Sequence, residues 1–212
     1  METGEIDFRV YLITDRHQAK RGDLLEVLEE ALESGIGAIQ LREKDMTGRD
    51  LFQLASEARK LTARYGAKLF VNDRIDVALA VTADGVHLGE ASIPVADAKR
   101  ICGGMTVGRS THSLQSAKRA EEEGADFLTF GPVFKTPSKE AFGPPAGVAK
   151  LAEVVRAVGI PVFALGGIKP ATIDRVMADG KPFGVALISA IIAAPSPGNA
   201  AALFLEKTAV PG

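Results

Sequence analysis

Eight short runs of β-branched and aliphatic residues, separated by segments of helical period, restrict this chain to very few folds. The runs fall at 10–15, 38–43, 68–73, 85–89, 106–110, 127–133, 161–167 and 184–189. Nearly continuous apolar runs suit strands buried on both faces, which is the condition of a parallel sheet. Between them the helical signals are explicit. Leu24, Leu25, Leu28, Ala31 and Leu32 share a face, opened by Asp23 with Glu26 and stopped at Gly35. Thr47 with Asp50 opens a second helix bearing Leu51, Leu54, Ala55, Ala58 and Leu61, which Gly66 ends. Ser113 caps a helix with Ala117 and Ala120 up to Gly124, and Thr172, Ile173, Val176 and Met177 lie on one that ends at Gly180.

The alternation of strand, turn, helix and glycine recurs roughly every 25 residues, as βα units require. A closed (β/α)8 TIM barrel of the phosphate-binding type accounts for eight strands without a second domain. A doubly wound open sheet is the competing layout, but no Gly-x-Gly-x-x-Gly follows the first strand. The expectation is one barrel domain over residues 1–212, with the barrel at about 8–207 and short flexible ends. A segment at 135–147 with three prolines and two glycines reads as a loop that closes over the site.

Composition narrows the function. A hydrophobic content of 46% in 212 residues supports one large core, and a net charge of -2 gives no footprint for nucleic acid. No apolar run reaches membrane-spanning length, and the acidic start lacks the apolar core of a signal peptide. The single cysteine, Cys102, cannot form an internal disulfide, so a reducing, cytoplasmic location is expected. A homo-oligomer is left open.

In such barrels the chemistry sits at the C-terminal strand ends. There the chain carries Gln40, Arg42 and Lys44 in alternation, then Asn72 and Asp73, then His87 and Glu90, then Arg109, Ser110 and His112. The alternation directs Gln40, Arg42 and Lys44 to one face, toward the barrel mouth. Unpaired cations in a core would cost several kcal/mol, so they point either to an anion site or to an ion-pair network with Glu43 or Asp73. Gly166-Gly167 and the backbone beyond Leu187 follow the last two strands, where such barrels hold phosphate on N–H groups. Asp73 is a hard oxygen ligand for Mg2+ or else a helix cap. His112 serves either as an acid/base or as a positioning group, and His87 reads as a satisfied interior residue. Residue chemistry thus predicts small phosphorylated ligands, one or two of them, with Mg2+.

Seven motifs carry a closer resemblance: YLITDR (11–16), QLREKD (40–45), VNDRIDVALAVTADGVHLG (71–89), VGRSTHS (107–113), FGPVFKTPSK (130–139), ALGGI (164–168) and LISAI (187–191). In this order they resemble the thiamine-phosphate synthase and thiazole tautomerase family. The resemblance implies an enzyme that joins a hydroxymethylpyrimidine pyrophosphate to a thiazole phosphate by a dissociative path. It implies that Gln40, Arg42, Lys44 and Asn72 bind the pyrimidine substrate and its diphosphate, that Ser110 touches the pyrimidine, and that Asp73 ligates Mg2+. Thr136, Ser138 and Lys139 would span the two phosphate sites, and Gly167, Ile188 and Ser189 would hold the thiazole phosphate. One departure stands out. The family's second acidic ligand is replaced by Ser92, and Glu90 could serve instead only if its loop shifted. The tautomerase branch would use His112 to move protons on a thiazole carboxylate phosphate, and a non-catalytic binder of thiamine precursors is the third reading. Retention of Gln40, Arg42, Lys44, Asn72 and Asp73 together favours the synthase.

Overall fold

A computed structural model describes residues 6–20, 22–136 and 144–209. Eight parallel strands close into a barrel in sequence order: β1 Val10–Ile13, β2 Ala38–Leu41, β3 Lys68–Asn72, β4 Gly85–Leu88, β5 Thr106–Thr111, β6 Phe127–Phe130, β7 Val162–Leu165 and β8 Gly184–Leu187. The helices are α1 Leu24–Glu33, α2 Gly48–Arg64, α3 Ile75–Ala80, α4 Val95–Ile101, α5 Leu114–Glu122, α6 Gly147–Ala157, α7 Ile173–Arg175, α8 Ser189–Ile192 and α9 Pro197–Thr208. The predicted caps form: Asp23 with Glu26, Thr47 with the Asp50 N–H, and Ser113 with Ser116. The helix expected around Thr172 ends at Gly180 as predicted, with Thr172 at its cap position rather than within it. It passes after one turn into a π turn, Val176–Gly180. None of the described helices is long and apolar enough to cross a membrane.

The barrel interior fills by setting large residues against absent ones. Phe8, Tyr11, Phe70, Phe127 and Phe163 form one buried cluster with Ile13, Ala38 and Ala186. Phe70 pairs with Gly85, Phe127 with Gly108, and Phe163 with Gly184 across neighbouring strands. A Cβ on any of these glycines would stand within 2.9 Å of the paired ring. Dense interiors tolerate such rings only where the neighbour yields its volume.

Two aspartates fasten the N-terminal ends of the strands. Just before β4, the Asp84 N–H donates to Leu69 O (2.9 Å) while its carboxylate accepts from Leu69 N–H (2.7 Å) and pairs with Arg59 of α2. Just before β6, Asp126 repeats the device on Val107 (2.9 and 2.6 Å) and pairs with Lys99 of α4. β3 with β4, and β5 with β6, are thus clamped where they begin, opposite the C-terminal ends that open into the mouth.

Candidate active site

Most strands end earlier than their apolar runs. β2 stops at Leu41, β6 at Phe130, β7 at Leu165 and β8 at Leu187, so the polar residues that follow sit on the rim rather than in the sheet. The inward positions near that rim divide by character. Strands β2 to β6 supply Gln40, Asn72, His87, Ser110 and Thr129, whereas β7, β8 and β1 supply Leu165, Ala186 and Ile13. The mouth therefore has a polar arc and an apolar arc.

On the polar side, parity decides which charges are spent. Glu43 faces opposite to Arg42 and Lys44 and is buried. Its carboxylate accepts from Thr14 Oγ1 (2.6 Å), from the Arg16 N–H (3.1 Å) and from the Arg16 guanidinium (3.1 Å). Arg16 also forks onto Asp45 (2.5 and 2.7 Å), and His17 joins the same carboxylate (2.9 Å). Hydrogen bonds from Arg16 and then His17 hold Asp45 well below the usual carboxylate range. The ion-pair network expected as an alternative for Arg42 and Lys44 thus belongs to Arg16. Among the described residues the half-buried Arg42 guanidinium and the exposed Lys44 ammonium make no ion pair at contact distance. Gln40 is 1 % exposed, and its amide donates to Tyr11 Oη (3.2 Å), so it sits one layer below the rim.

Asp73 is a rim carboxylate, and the helix-cap alternative is wrong: Arg74 occupies the cap position of α3 and no side chain caps it. Its backbone lies at φ 58, a left-handed conformation that a non-glycine residue adopts only where its surroundings impose it. The carboxylate accepts from the Gly89 N–H (2.9 Å), from Asn72 Nδ2 (2.8 Å) and from Ser92 Oγ. Partial burial pushes its pKa up, but the Gly89 N–H, Ser92, the Lys44 charge and Asn72 together leave it below the ordinary carboxylate value. Ser92 therefore stands against Asp73, whereas Glu90 does not. Glu90 faces His112, with Nε2 to Oε2 at 3.7 Å. Arg109 anchors that loop by donating to Ile93 O (2.9 Å) and Glu90 O (3.2 Å), a role no local sequence signal indicated. Burial pulls Arg109 below its usual value.

On the apolar side lies a cavity of about 380 Å³ whose wall includes His112, Thr136, Gly166, Gly167, Ile188 and Ser189. Gly166 and Gly167 have φ 99 and 66, and the loop after β6 lies directly on them, with Phe134 N–H donating to Gly166 O (3.0 Å). A Cβ on Gly166 would stand 2.7 Å from Pro132, and one on Gly167 2.8 Å from Lys135 O. Bare backbone is required here both for conformation and for space. His112 donates from Nδ1 to Gly131 O, which fixes its tautomer and leaves Nε2 facing Glu90 and the cavity. Gln18 also lines this cavity, which the sequence reading missed. Ser138, Lys139 and most of the expected closing loop lie outside the described residues. His87 is buried as expected but not fully satisfied, because its Nδ1 has no partner among the described residues.

The chain matches the family model described as thiamine monophosphate synthase over residues 10–191. A curated relative from Geobacter sulfurreducens is 54% identical over 202 residues, spanning 95% of this chain and 94% of the relative. A thiamine-phosphate synthase from Roseiflexus castenholzii is 44% identical over 189 residues, spanning 89% of this chain and 82% of the relative. Among solved structures, a thiamine phosphate pyrophosphorylase from Pyrococcus furiosus is 39% identical, with a TM-score of 0.87 and 95% of both chains covered.

Proposed function

The chain belongs to the thiamine monophosphate synthase family, and on that premise we infer that it is a transferase joining a hydroxymethylpyrimidine diphosphate to a thiazole phosphate, releasing diphosphate. The observation that carries this reading is the division of charge at the mouth. Glu43 and Asp45 are taken up by Arg16, which leaves Arg42 and Lys44 for an anion on the polar arc. Across the mouth, the Gly166–Gly167 backbone borders a cavity suited to a second, phosphorylated ring.

The reaction proceeds by loss of diphosphate before the new bond forms. Arg42 and Lys44 stabilise the charge that grows on the leaving group, an electrostatic contribution needing no protein nucleophile. The apolar arc of Leu165, Ala186 and Ile13 keeps water from the carbocation until the thiazole nitrogen attacks. Asp73, with Ser92 beside it, would hold a Mg2+, a hard cation that takes oxygen ligands. Bound there, Mg2+ would neutralise leaving-group charge.

A carboxylate has about four acceptor sites, and three donors already occupy Asp73. Weak metal binding in the absence of diphosphate follows. The Ser92→Asp variant is expected to bind Mn2+ at least about tenfold more tightly without substrate, read from the free-ion resonance signal. Unchanged affinity would refute this assignment of the metal position.

The enzymatic test supplies both substrates with Mg2+ and follows thiamine phosphate by chromatography. A second activity is favoured by one observation, the His112–Glu90 pair on the cavity wall, which could move protons on a thiazole carboxylate phosphate. Should no thiamine phosphate form at any Mg2+ concentration, that isomerisation is the reaction to assay, with His112→Ala as control.

A further inference from the structure

The only buried side-chain nitrogen or oxygen without a hydrogen bond among the described residues is His87 Nδ1. The ring is 1 % exposed and lies between Tyr11 and Phe127, with centroids at 5.7 and 5.5 Å. Its other nitrogen, Nε2, is 3.0 Å from Ser110 Oγ and 3.4 Å from Thr129 Oγ1, and the two hydroxyls are 3.3 Å apart. On the Nδ1 side the ring rests on bare Gly108, where a methyl group would come within 2.5 Å of Nδ1 and 2.4 Å of the Phe127 ring. That spacing leaves no place for a bridging water. A ring this buried, with no ion pair among the described residues, is neutral and carries one ring proton.

That proton belongs on Nε2. Placed on Nδ1 it would be a buried donor with no acceptor, the rarer and costlier kind of orphan. With Nε2–H donating to Ser110 Oγ, the buried Thr129 hydroxyl has Ser110 Oγ as its one acceptor in this triangle. Ser110 Oγ then receives two hydrogen bonds, which fill its lone pairs. Its own proton is left to point away from both, out of the barrel interior into the mouth.

We propose that His87 is a positioning residue that makes the Ser110 hydroxyl an obligate donor, aimed at the lone pair of a heteroaromatic ring nitrogen, and so selects the aminopyrimidine substrate. The inference rests on the reaction proposed above and deepens it. Phosphate oxygens already have the cations at 42 and 44 and the Gly166–Gly167 backbone, whereas Ser110 lies on the polar arc beside Thr129. A donor on a ring nitrogen grips the neutral ring but opposes positive charge developing in it. The interaction therefore favours binding and not bond breaking.

Two variants separate this from a packing role. In His87→Gln the amide nitrogen takes the place of Nε2, and in His87→Asn it takes the place of Nδ1, short of Ser110. The Gln variant is expected to keep the KM for the pyrimidine diphosphate within about threefold, while Asn raises it about tenfold, with the thiazole phosphate KM moving less than about twofold in both. Equal behaviour of Gln and Asn, or parallel changes in both KM values, would overturn the proposal. Should the unmodified protein make no thiamine phosphate, the proposed reaction falls separately, and the inference is read from calorimetric binding of the pyrimidine diphosphate alone. Asn binding about tenfold more weakly than Gln would support it, and equal affinities would overturn it.

Discussion

Replacing Arg42 with alanine is expected to lower kcat for thiamine phosphate formation about a hundredfold or more, with a smaller change in substrate KM. The backbone on either side holds this side chain at the rim. Its N–H donates to Thr14 Oγ1 (2.9 Å), and Thr14 in turn donates to buried Glu43. Glu43 faces the other way and is committed to Arg16, so among the described residues no carboxylate competes for the Arg42 guanidinium. A cation held ready in a half-buried site costs little further reorganisation as charge develops on the leaving diphosphate, which is why the effect should fall on turnover. Arg42→Lys restores the charge but not the paired N–H donors and should recover only part of the rate. Steady-state kinetics with each substrate varied decides the matter. A rate within about threefold of the unmodified protein would remove Arg42 from the catalytic machinery.

The second large effect concerns the seam where the barrel closes. Gly184→Ala should cost at least about 3 kcal/mol and lower the melting temperature by roughly 6–12 °C in a chain of this size. The added Cβ would stand 2.1 Å from the Arg9 carbonyl oxygen and 2.9 Å from the Phe163 ring. That carbonyl accepts the Val185 N–H (2.9 Å) in the ladder joining β8 to β1, and the Arg9 side chain donates to Phe183 O (2.6 Å) across the same seam. The backbone cannot give way without opening the closure. Gly66→Ala is the control. Its φ is 66 but nothing lies within 4 Å of the new Cβ, so only the conformational cost of about 1 kcal/mol applies. Calorimetric melting that shows equal losses for the two would refute the steric account.

Eight strands were legible because each is buried on both faces and reads as an apolar run, from 10–15 to 184–189. Most of their C-terminal limits were read too long, since an apolar run does not reveal where neighbouring strands splay apart at the rim. The alternation of Gln40, Arg42 and Lys44 was legible for the same local reason, with Glu43 or Asp73 as their alternative partners. What Glu43 does instead was not legible, because Arg16 lies 27 residues away and nothing local links them. The same holds for Glu90 against His112 and for Arg109 under its loop: each is a contact made by folding between side chains whose neighbours in the chain are silent about it. Asp73 appeared as a carboxylate in a motif, but its left-handed backbone and its bond to Ser92 belong to the three-dimensional rim.

Asp84 and Asp126 tie the strands at the end farthest from the reacting groups. Their consequence is evolutionary. Both clamps lie where no substrate reaches, so exchanging an exposed rim side chain leaves them intact. An acid can give way to a hydroxyl at position 92, or a glutamate can turn toward His112 at position 90, without loosening the cylinder beneath. Such a protein can trial new reactions one rim residue at a time, each variant inheriting a folded parent.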